Sequence, residues 1–303
     1  MRKKKEFNRI SMGWNITFNL MLCICALLVL LPVLLVVIVS FSSTESIEKL
    51  GYSYFPSEWS LQGYYYIFKM GEQVASSYIV TIANSVIGTV LTLAVNALYG
   101  YVLTQKKFWL RGFLTYFVFV PMLIGAGLVP NYMINTQVYH LGDTFWILVL
   151  PGLVSGSSAF IMRTFINTTI PDTLFDAAKI DGAGHFRIFT TIVLPLSKAG
   201  LAVLGLNAFV LRWNDWFTGM LYISNPKLVP LQTMLTKLQK NVDFIKQNAE
   251  VTSTPDGLQL IKSMPSDNLR MAILVISIAP IMFAYPFFQR YFVKGLVVGS
   301  VKG

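Results

Sequence analysis

Long runs of residues without a single charge constrain this sequence more than any other feature. Each run can supply the roughly 20 apolar residues that an α-helix needs to cross a bilayer. A sixth apolar run, at about residues 196–223, carries Arg212 and Asp215 in its interior. The sequence therefore predicts six membrane-spanning helices. The five uncharged runs are residues 10–44, 73–105, 112–142, 144–162 and 271–289.

The composition is typical of a membrane protein. Of the 303 residues, 54% are hydrophobic and 13% are charged, whereas an ordinary soluble domain has about 25% charged residues. We predict an all-α, polytopic membrane protein with an N-terminal segment (1–13), a six-helix domain (14–292) and a C-terminal tail (293–303). The spans are expected at about residues 14–40, 78–104, 112–134, 144–166, 196–223 and 270–292.

Basic residues cluster in alternate connections between these predicted spans, at 2–9, 106–111, 163–198 and 290–302. The positive-inside rule places such connections on the cytoplasmic side. We therefore expect a multi-pass protein of the plasma membrane with both termini in the cytoplasm. The net charge of +10 is explained by this topology and by contact with anionic membrane lipid, so the charge does not call for a nucleic-acid partner.

A polar segment, residues 171–195, lies between the fourth and fifth predicted spans. Pro171 and Asp172 suit the first turn of a helix, because the N–H that proline lacks is unpaired there and a carboxylate interacts favourably with the helix dipole. Gly182 is expected to end this helix, since glycine tolerates a positive φ. A second helical segment should follow, with Pro195 bending the chain towards the fifth span. The segment therefore predicts a short helix at the cytoplasmic membrane surface.

Residues 176–183 read D-A-A-K-I-D-G-A, and I-V-L-P follows at 192–195. This pattern resembles the EAA loop of ABC importer permeases, which is roughly E-A-A-x-x-D-G-A, a spacer and I-x-L-P. Asp176 stands where Glu is usual in the family, and Ala199 stands where a final proline is common. The matching residues are Asp176, Ala177, Ala178, Asp181, Gly182, Ala183, Phe189, Ile192, Leu194 and Pro195.

The resemblance implies a mechanical role for this segment. In the family the short helix docks into a groove on an ATP-hydrolysing subunit, so residues 171–187 are implied to form a coupling helix. The implied partners are a second homologous permease, two ATPase subunits and an extracellular solute-binding protein. No cofactor is expected in this chain, with ATP and Mg²⁺ on the ATPase, because the sequence contains no G-x-x-x-x-G-K-[ST] phosphate loop. No metal site is expected either.

Two other stretches, LRWNDWFTGMLYI and YPFFQRYFVKGLVVGSVKG, look like the permeases of carbohydrate importers. They are most similar to the oligosaccharide branch, particularly the maltose-type second permease subunit. The implied cargo is a carbohydrate, in particular an oligosaccharide. Two alternatives remain open: an importer of another solute, such as polyamine, phosphate or glycerol phosphate, and a membrane enzyme or receptor without an ATPase.

The fifth predicted span contains polar residues that could line the cargo path. A charge at the bilayer centre costs at least about 2.5–3.5 kcal/mol, so such residues face a cavity or a partner. Arg212 and Asp215 are three residues apart and could instead form an ion pair on one helix face. Tryptophan rings and asparagine amides suit the rings and hydroxyls of a sugar. The candidate path residues are Arg212, Trp213, Asn214, Asp215 and Trp216.

Three smaller features concern packing and loops. Gly152 and Gly156 are predicted to form a small-residue face on the fourth span, where a neighbouring helix can approach closely. Asn84 and Asn96 in the second span are expected to make hydrogen bonds between helices. The long loop at about 224–269 is expected to lie outside the cell and, by the family resemblance, to reach towards the solute-binding protein.

Overall fold

The structure, a computed structural model, describes residues 12–247 and 267–300. Helices dominate it, and the only β pairing in these ranges is one antiparallel bridge between Ser42 and Trp59. The predicted all-α class is therefore confirmed. The chain divides into two compact units, residues 1–69 with 248–276 and residues 70–247 with 277–303. Much of the predicted N-terminal segment, and residues 248–266 of the predicted outer loop, lie outside the described residues.

The first unit contains three complete helices among its described residues. Ser43 caps the second of them, because its hydroxyl accepts a hydrogen bond from the Ser46 N–H at 3.1 Å and so satisfies one of the unpaired donors of the first turn. The Tyr64 hydroxyl lies 2.8 Å from the Ser40 hydroxyl and joins the third helix to the end of the first. These helices are α1 (Met12–Ser40), α2 (Thr44–Leu50) and α3 (Gln62–Lys69).

The second unit contains most of the remaining helices. They are α4 (Gly71–Thr104), α5 (Arg111–Leu123), α6 (Leu128–Met133), α7 (Trp146–Val149), α8 (Gly156–Thr169), α9 (Asp172–Ile180), α10 (His185–Ile188), α11 (Leu194–Leu196), α12 (Lys198–Trp213), α13 (Phe217–Tyr222) and α14 (Leu231–Gln247). A last helix, α15 (Asp267–Ser300), belongs to the first unit up to residue 276 and to the second from residue 277. Short π-helical turns at Ile134–Val138 and Phe189–Val193 and a 3-10 helix at Pro226–Leu228 complete the described regular structure of this unit.

Helix α4 forms the centre of the second unit, where it packs against α12 and α8. Two apolar clusters lie at its two ends. The first, the Tyr101 cluster, contains Tyr101, Met162, Phe175 and Phe189, and the second contains Val80, Leu148, Trp213 and Met234. Because both clusters include residues of α4, this helix connects the α9 region to the region around Trp213.

Three of the predicted spans are not single helices in the structure. The predicted span 112–134 is divided between α5 and α6, the span 144–166 between α7 and α8, and the span 196–223 between α12 and α13. Apolar composition does not distinguish a continuous helix from an interrupted one, because both bury apolar side chains. The interruptions are produced by local backbone chemistry instead.

The break between α7 and α8 illustrates this chemistry. Pro151 lacks the N–H that would continue the hydrogen bonding of α7, and Gly152 has a φ of +75°, a left-handed conformation that an α-helix excludes. Gly152 therefore lies in a turn, and the predicted helical face shared with Gly156 is wrong. Gly156 does allow a close approach, since a Cβ there would come within 2.6 Å of the Val118 carbonyl oxygen.

In the described ranges, two helices are long and apolar enough to cross a membrane, α1 and α4. The count rises to three if His185–Leu196 and Lys198–Trp213, which meet at an angle of 79°, form one bent span. The predicted total of six spans stays a prediction. Interrupted helices are tolerated at membrane depth where their backbone is buried in protein or lines a cavity, and the interruption at residues 150–155 does line a cavity.

Candidate coupling site and membrane cavity

Helix α9 begins and ends as its sequence predicts. Pro171 precedes it with extended backbone (φ −63°, ψ 143°), and Asp172 lies in its first turn. Gly182, just after the helix, has a φ of +74°. The Gly182 N–H donates to the Lys179 carbonyl and the Ala183 N–H donates to the Ala178 carbonyl, at 3.1 and 2.9 Å. These two bonds form a Schellman motif, so the D-G-A part of the sequence pattern specifies how the helix ends.

One residue of α4, Tyr101, holds this region in place. Its side chain is 4% exposed, and its ring centroid lies 6.4 Å from that of Phe175 on α9 and 5.6 Å from that of Phe189. Its hydroxyl lies 3.1 Å from Nδ1 of His185, the first residue of α10. Tyr101 therefore contacts both helices of the predicted EAA loop from the last turn of α4.

The predicted EAA residues divide into two groups. Ala178 and Ala183 are half-buried and pack against the Tyr101 cluster. The other group is exposed and comprises Asp176, Ala177, Asp181, Gly182 and Pro195. Two large apolar side chains beside them are also exposed, Ile180 at 85% and Phe186 at 78%. The helix thus fixes one face to α4 and presents an apolar and acidic face outwards.

A cavity of about 650 Å³ lies beside α9. Its wall includes Lys106, Asp172, Asp176 and Lys179. Lys106 Nζ lies 3.1 Å from Asp172 Oδ2, but both side chains are 75% exposed, so this ion pair contributes only about 0–1 kcal/mol. The attachment of α9 therefore depends on Phe175 and Tyr101 more than on this ion pair.

A second cavity, of about 480 Å³, lies at the interruptions of the predicted fourth and fifth spans. Four of the five predicted path residues line it: Arg212, Asn214, Asp215 and Trp216. Trp213 does not, because its side chain is 1% exposed and its indole N–H donates to the Ser277 carbonyl at 3.0 Å. Sequence reasoning missed other polar lining residues, including Ser155, Ser157, Asn207 and Thr218.

The alternative of an ion pair between Arg212 and Asp215 is not realised: no ion pair within 4.0 Å joins these two described residues. Helix α12 ends at Trp213, so the two side chains do not share a helix face. One carboxylate oxygen of Asp215 instead accepts the N–H groups of Phe217 and Thr218, each at 3.0 Å. Asp215 therefore caps the start of α13, where unpaired N–H groups favour a negative charge.

Arg212 crosses from α12 to two other helices. Its Nη1 donates to the Leu148 carbonyl at 2.9 Å and to Asn84 Oδ1 at 3.5 Å, and its Nη2 donates to the Thr92 hydroxyl at 3.2 Å. Leu148 lies in the last turn of α7, whose carbonyls lack partners because the helix stops there. Arg212 thus binds the end of one interrupted helix to α4.

The asparagines of α4 make the predicted interhelical bonds. Asn96 Nδ2 donates to the Leu153 carbonyl at 2.7 Å, and its Oδ1 accepts the Ser155 N–H at 3.2 Å. Both partners belong to the turn between α7 and α8, which lines the second cavity. Asn96 precedes Tyr101 by five residues on the same helix, so α4 connects the α9 region to the cavity wall.

No group of three or more His, Cys, Asp or Glu side chains in the described ranges is placed to hold a metal ion. The two sites present different surfaces. The α9 site has exposed apolar and acidic side chains. The second cavity is lined by amide, hydroxyl, aromatic and charged groups.

Comparison with known proteins identifies the family. The family model described as binding-protein-dependent transport system inner membrane component matches residues 97–298. The polygalacturonan/rhamnogalacturonan transport system permease protein YtcP of Bacillus subtilis (strain 168) is 30% identical over 301 residues, covering 99% of this chain and all of the relative. The sn-glycerol-3-phosphate transport system permease protein UgpE of Brucella abortus (strain 2308) is 30% identical over 193 residues, covering 63% of this chain and 61% of the relative.

A solved structure agrees with these matches in fold. It is the crystal structure of a bacterial ABC transporter involved in the import of the acidic polysaccharide alginate. One of its chains superposes with a TM-score of 0.78 at 25% identity, covering 95% of this chain and all of that chain. Fold and sequence point to the same group of proteins. The chain belongs to the family of binding-protein-dependent transport system inner membrane components.

Proposed function

We propose that this chain is the membrane-spanning permease subunit of an ATP-driven importer that carries a saccharide. Its expected partners are a second homologous permease, two ATPase subunits and an extracellular solute-binding protein. ATP hydrolysis belongs to the ATPase subunits. In this proposal the chain crosses the membrane six times, with both termini and α9 in the cytoplasm.

The arrangement of α9 is the observation that carries the proposal. A helix that transmits force needs one face bound to the moving part and another free to bind the motor. Phe175 and Ala178 bind α9 to the Tyr101 cluster, while Ile180, Phe186 and Asp176 are exposed. An exposed apolar patch beside charged groups is typical of a protein-binding surface.

The contacts of α4 suggest how motion reaches the cargo path. A displacement of α9 acts on Tyr101, near the end of α4, and α4 carries Asn96, which binds the turn between α7 and α8. That turn lines the second cavity together with Arg212 and Trp216. We infer that movement of α9 changes the shape of this cavity, and hence the access to it.

The cargo assignment rests on two relatives and on the cavity. The names of the Bacillus relative and of the structural neighbour refer to polysaccharides. The cavity presents Asn214, Asn207 and Trp216, and such amides and aromatic rings bind sugar hydroxyls and sugar faces. The Brucella relative favours a second candidate, sn-glycerol-3-phosphate, although it matches a smaller share of the chain.

Purification of the tagged chain in mild detergent tests the coupling assignment. We expect an ATPase subunit to co-purify, and we expect Phe186→Ser or Ile180→Ser to weaken its recovery by about tenfold, because loss of a buried apolar anchor at an interface costs about 1–2 kcal/mol. Both side chains are exposed, so folding should be unaffected. Phe55→Ser is the matched control, since Phe55 is 86% exposed and belongs to the predicted outer side.

The result would count against the proposal in two ways. Recovery of no nucleotide-binding subunit with the wild-type chain would contradict the importer assignment. Equal recovery with Phe186→Ser, Ile180→Ser and Phe55→Ser would contradict the assignment of α9 as the docking surface.

A further inference from the structure

The wall of the second cavity includes an arginine side chain, Arg212, that forms no ion pair with any side chain in the described ranges. Arg212 lines this cavity, and its hydrogen-bond acceptors are a backbone carbonyl, an amide oxygen and a hydroxyl. All three acceptors are neutral groups with only partial charges. Since a guanidinium stays protonated in proteins, Arg212 places a formal charge of +1 at the cavity wall. The Asp215 carboxylate lines the same cavity and acts on Arg212 electrostatically, but the two groups form no ion pair within 4.0 Å.

Residue 88 of α4 leaves room for this cation. A Cβ atom at Gly88 would lie 2.5 Å from Arg212 Nε, so in its present position the guanidinium lies directly against the backbone of α4. The three hydrogen bonds then fix the group to α4 and to the end of α7. The Nε hydrogen and one Nη2 hydrogen are not used by these bonds, and no acceptor for them occurs among the described residues.

Packing alone does not require a charge at this place. Removing a charge from water is costly, and the cost is recovered only with well-placed partners. A neutral amide could donate to the same carbonyl and hydroxyl without that cost. The formal charge therefore indicates an electrostatic task, namely attraction of an anionic group that enters the cavity.

The only carboxylate that lines this cavity, among the described residues, is that of Asp215. One of its oxygens accepts the Phe217 and Thr218 N–H groups. A ligand that carries both a carboxylate and hydroxyl groups would match this separation of charges. Its carboxylate would bind at Arg212, and its hydroxyls would donate to Asp215 and contact Asn207 and Asn214.

We propose that Arg212 is a specificity-determining residue, and that the cavity binds saccharides which carry a carboxylate, such as uronate units. This inference rests on the proposed saccharide function and deepens it. The carboxylate would accept hydrogen bonds from the guanidinium, the pairing that arginine geometry favours. The Trp216 ring, 41% exposed, would contact the face of a sugar ring.

Uptake by intact cells tests this proposal, with the chromosomal copy of the gene replaced by each variant. The probes are labelled tetragalacturonate and labelled galactotetraose, which differ in charge but share their size. Any preference of the solute-binding protein is common to all variants, so the ratio of variant to wild-type uptake reports this chain alone. The variants are Arg212→Gln, Arg212→Lys and the control Lys227→Gln, which removes an exposed charge outside the cavity.

We expect Arg212→Gln to lower uptake of tetragalacturonate by at least about tenfold, because a charge-assisted hydrogen bond is lost, while uptake of galactotetraose changes less than about twofold. Arg212→Lys keeps the charge and should retain at least about five times more tetragalacturonate uptake than Arg212→Gln. Lys227→Gln should leave both uptakes unchanged. Immunoblots of the membrane fraction normalise each rate to the amount of protein.

Several results would overturn the inference while the saccharide function stands. One is an equal loss of both probes in Arg212→Gln, and another is wild-type uptake of galactotetraose alone. If the wild type carries tetragalacturonate alone, equal losses in the Gln and Lys variants would overturn it. Uptake of neither tetramer, together with uptake of labelled sn-glycerol-3-phosphate, would instead refute the saccharide function itself.

Discussion

Tyr101 offers the sharpest test of how the coupling region is attached to the rest of the protein. Tyr101→Ala would remove the ring that contacts Phe175 and Phe189, together with the hydroxyl beside His185. Tyr101→Phe would remove only the hydroxyl. If α9 drives α4 through this side chain, the first change should uncouple transport from ATP hydrolysis and the second should weaken it only slightly.

The expected magnitudes follow from burial. Truncation of a buried aromatic residue to alanine costs about 3–5 kcal/mol, and we assign roughly 2 kcal/mol of this to the contact with α9, through an aromatic pair and part of the burial of Phe175. About 2 kcal/mol lowers the ratio of attached to detached α9 by roughly 30-fold. Loss of the hydroxyl costs about 0.5–1.5 kcal/mol, at the lower end because His185 is exposed and can bind water.

The assay compares saccharide uptake with ATP hydrolysis in proteoliposomes that contain the complete importer. We expect Tyr101→Ala to lower uptake by at least about tenfold while ATP hydrolysis continues, so that more ATP is consumed per saccharide. Tyr101→Phe should lower uptake by no more than about threefold. The melting temperature of each purified complex separates uncoupling from loss of the fold.

Tyr78 provides a matched control on the same helix. It lies 23 residues before Tyr101, about 35 Å along α4, and its buried hydroxyl has no hydrogen-bond partner in the described ranges. Tyr78→Phe should therefore be neutral or slightly stabilising, and Tyr78→Ala should lower stability without changing the ATP consumed per saccharide. If Tyr78→Ala and Tyr101→Ala raised this ratio equally, the reasoning about Tyr101 would be refuted.

Two further predictions concern backbone geometry. Gly182→Ala should cost about 1 kcal/mol, because φ is +74° there, and should reduce uptake several-fold. Gly112→Ala, in the first turn of α5, should be neutral or slightly stabilising, because alanine favours a helix and no atom lies within 4 Å of an added Cβ; equal uptake by the two variants would contradict this. Asp215→Asn keeps an oxygen that can accept the two N–H groups and should remain near wild-type stability, while Asp215→Leu should lose about 1–2 kcal/mol in thermal unfolding; similar melting temperatures for both would contradict the capping role.

The coupling segment could be predicted in detail because its structure depends on its own residues. The start of α9 follows from Pro171 and Asp172, and its end follows from the backbone freedom of Gly182. Each of these effects acts within one or two helical turns. Sequence reasoning therefore succeeded for the boundaries of α9, while the binding of an ATPase to it stays a prediction.

The cavity could be predicted only in part, because its geometry depends on contacts between distant parts of the chain. Arg212 binds residues that precede it by 64, 120 and 128 positions. The sequence distance to Asp215 is only three, so pairing between these neighbours was one of two open alternatives, and the structure does not contain that pair. The contact between the Arg212 guanidinium and Gly88 could not be predicted from a single sequence, since a glycine in an apolar helix has many possible explanations.

The interruptions of the predicted spans are marked by proline and glycine residues within apolar stretches. Pro151 and Gly152 mark one break, and the glycines at 125 and 127 mark another. A sliding measure of hydropathy averages over such residues because a turn of apolar residues scores as highly as a helix. The proline and glycine positions therefore predict these breaks better than the hydropathy of the span does.

The Schellman ending of α9 divides the D-A-A-K-I-D-G-A pattern into two independent halves. Ala178, Gly182 and Ala183 make the backbone hydrogen bonds that end α9 within this chain. Asp176, in contrast, forms no hydrogen bond or ion pair with a described side chain. The acid can therefore shorten from Glu to Asp without disturbing the helix, provided that the surface opposite adjusts its reach. The glycine has no such latitude, since its conformation is dictated within the chain. In an importer that combines this chain with an ATPase from another system, we expect a mismatch at Asp176 to impair function. Replacing the Gly182–Ala183 turn with that of another permease should be tolerated.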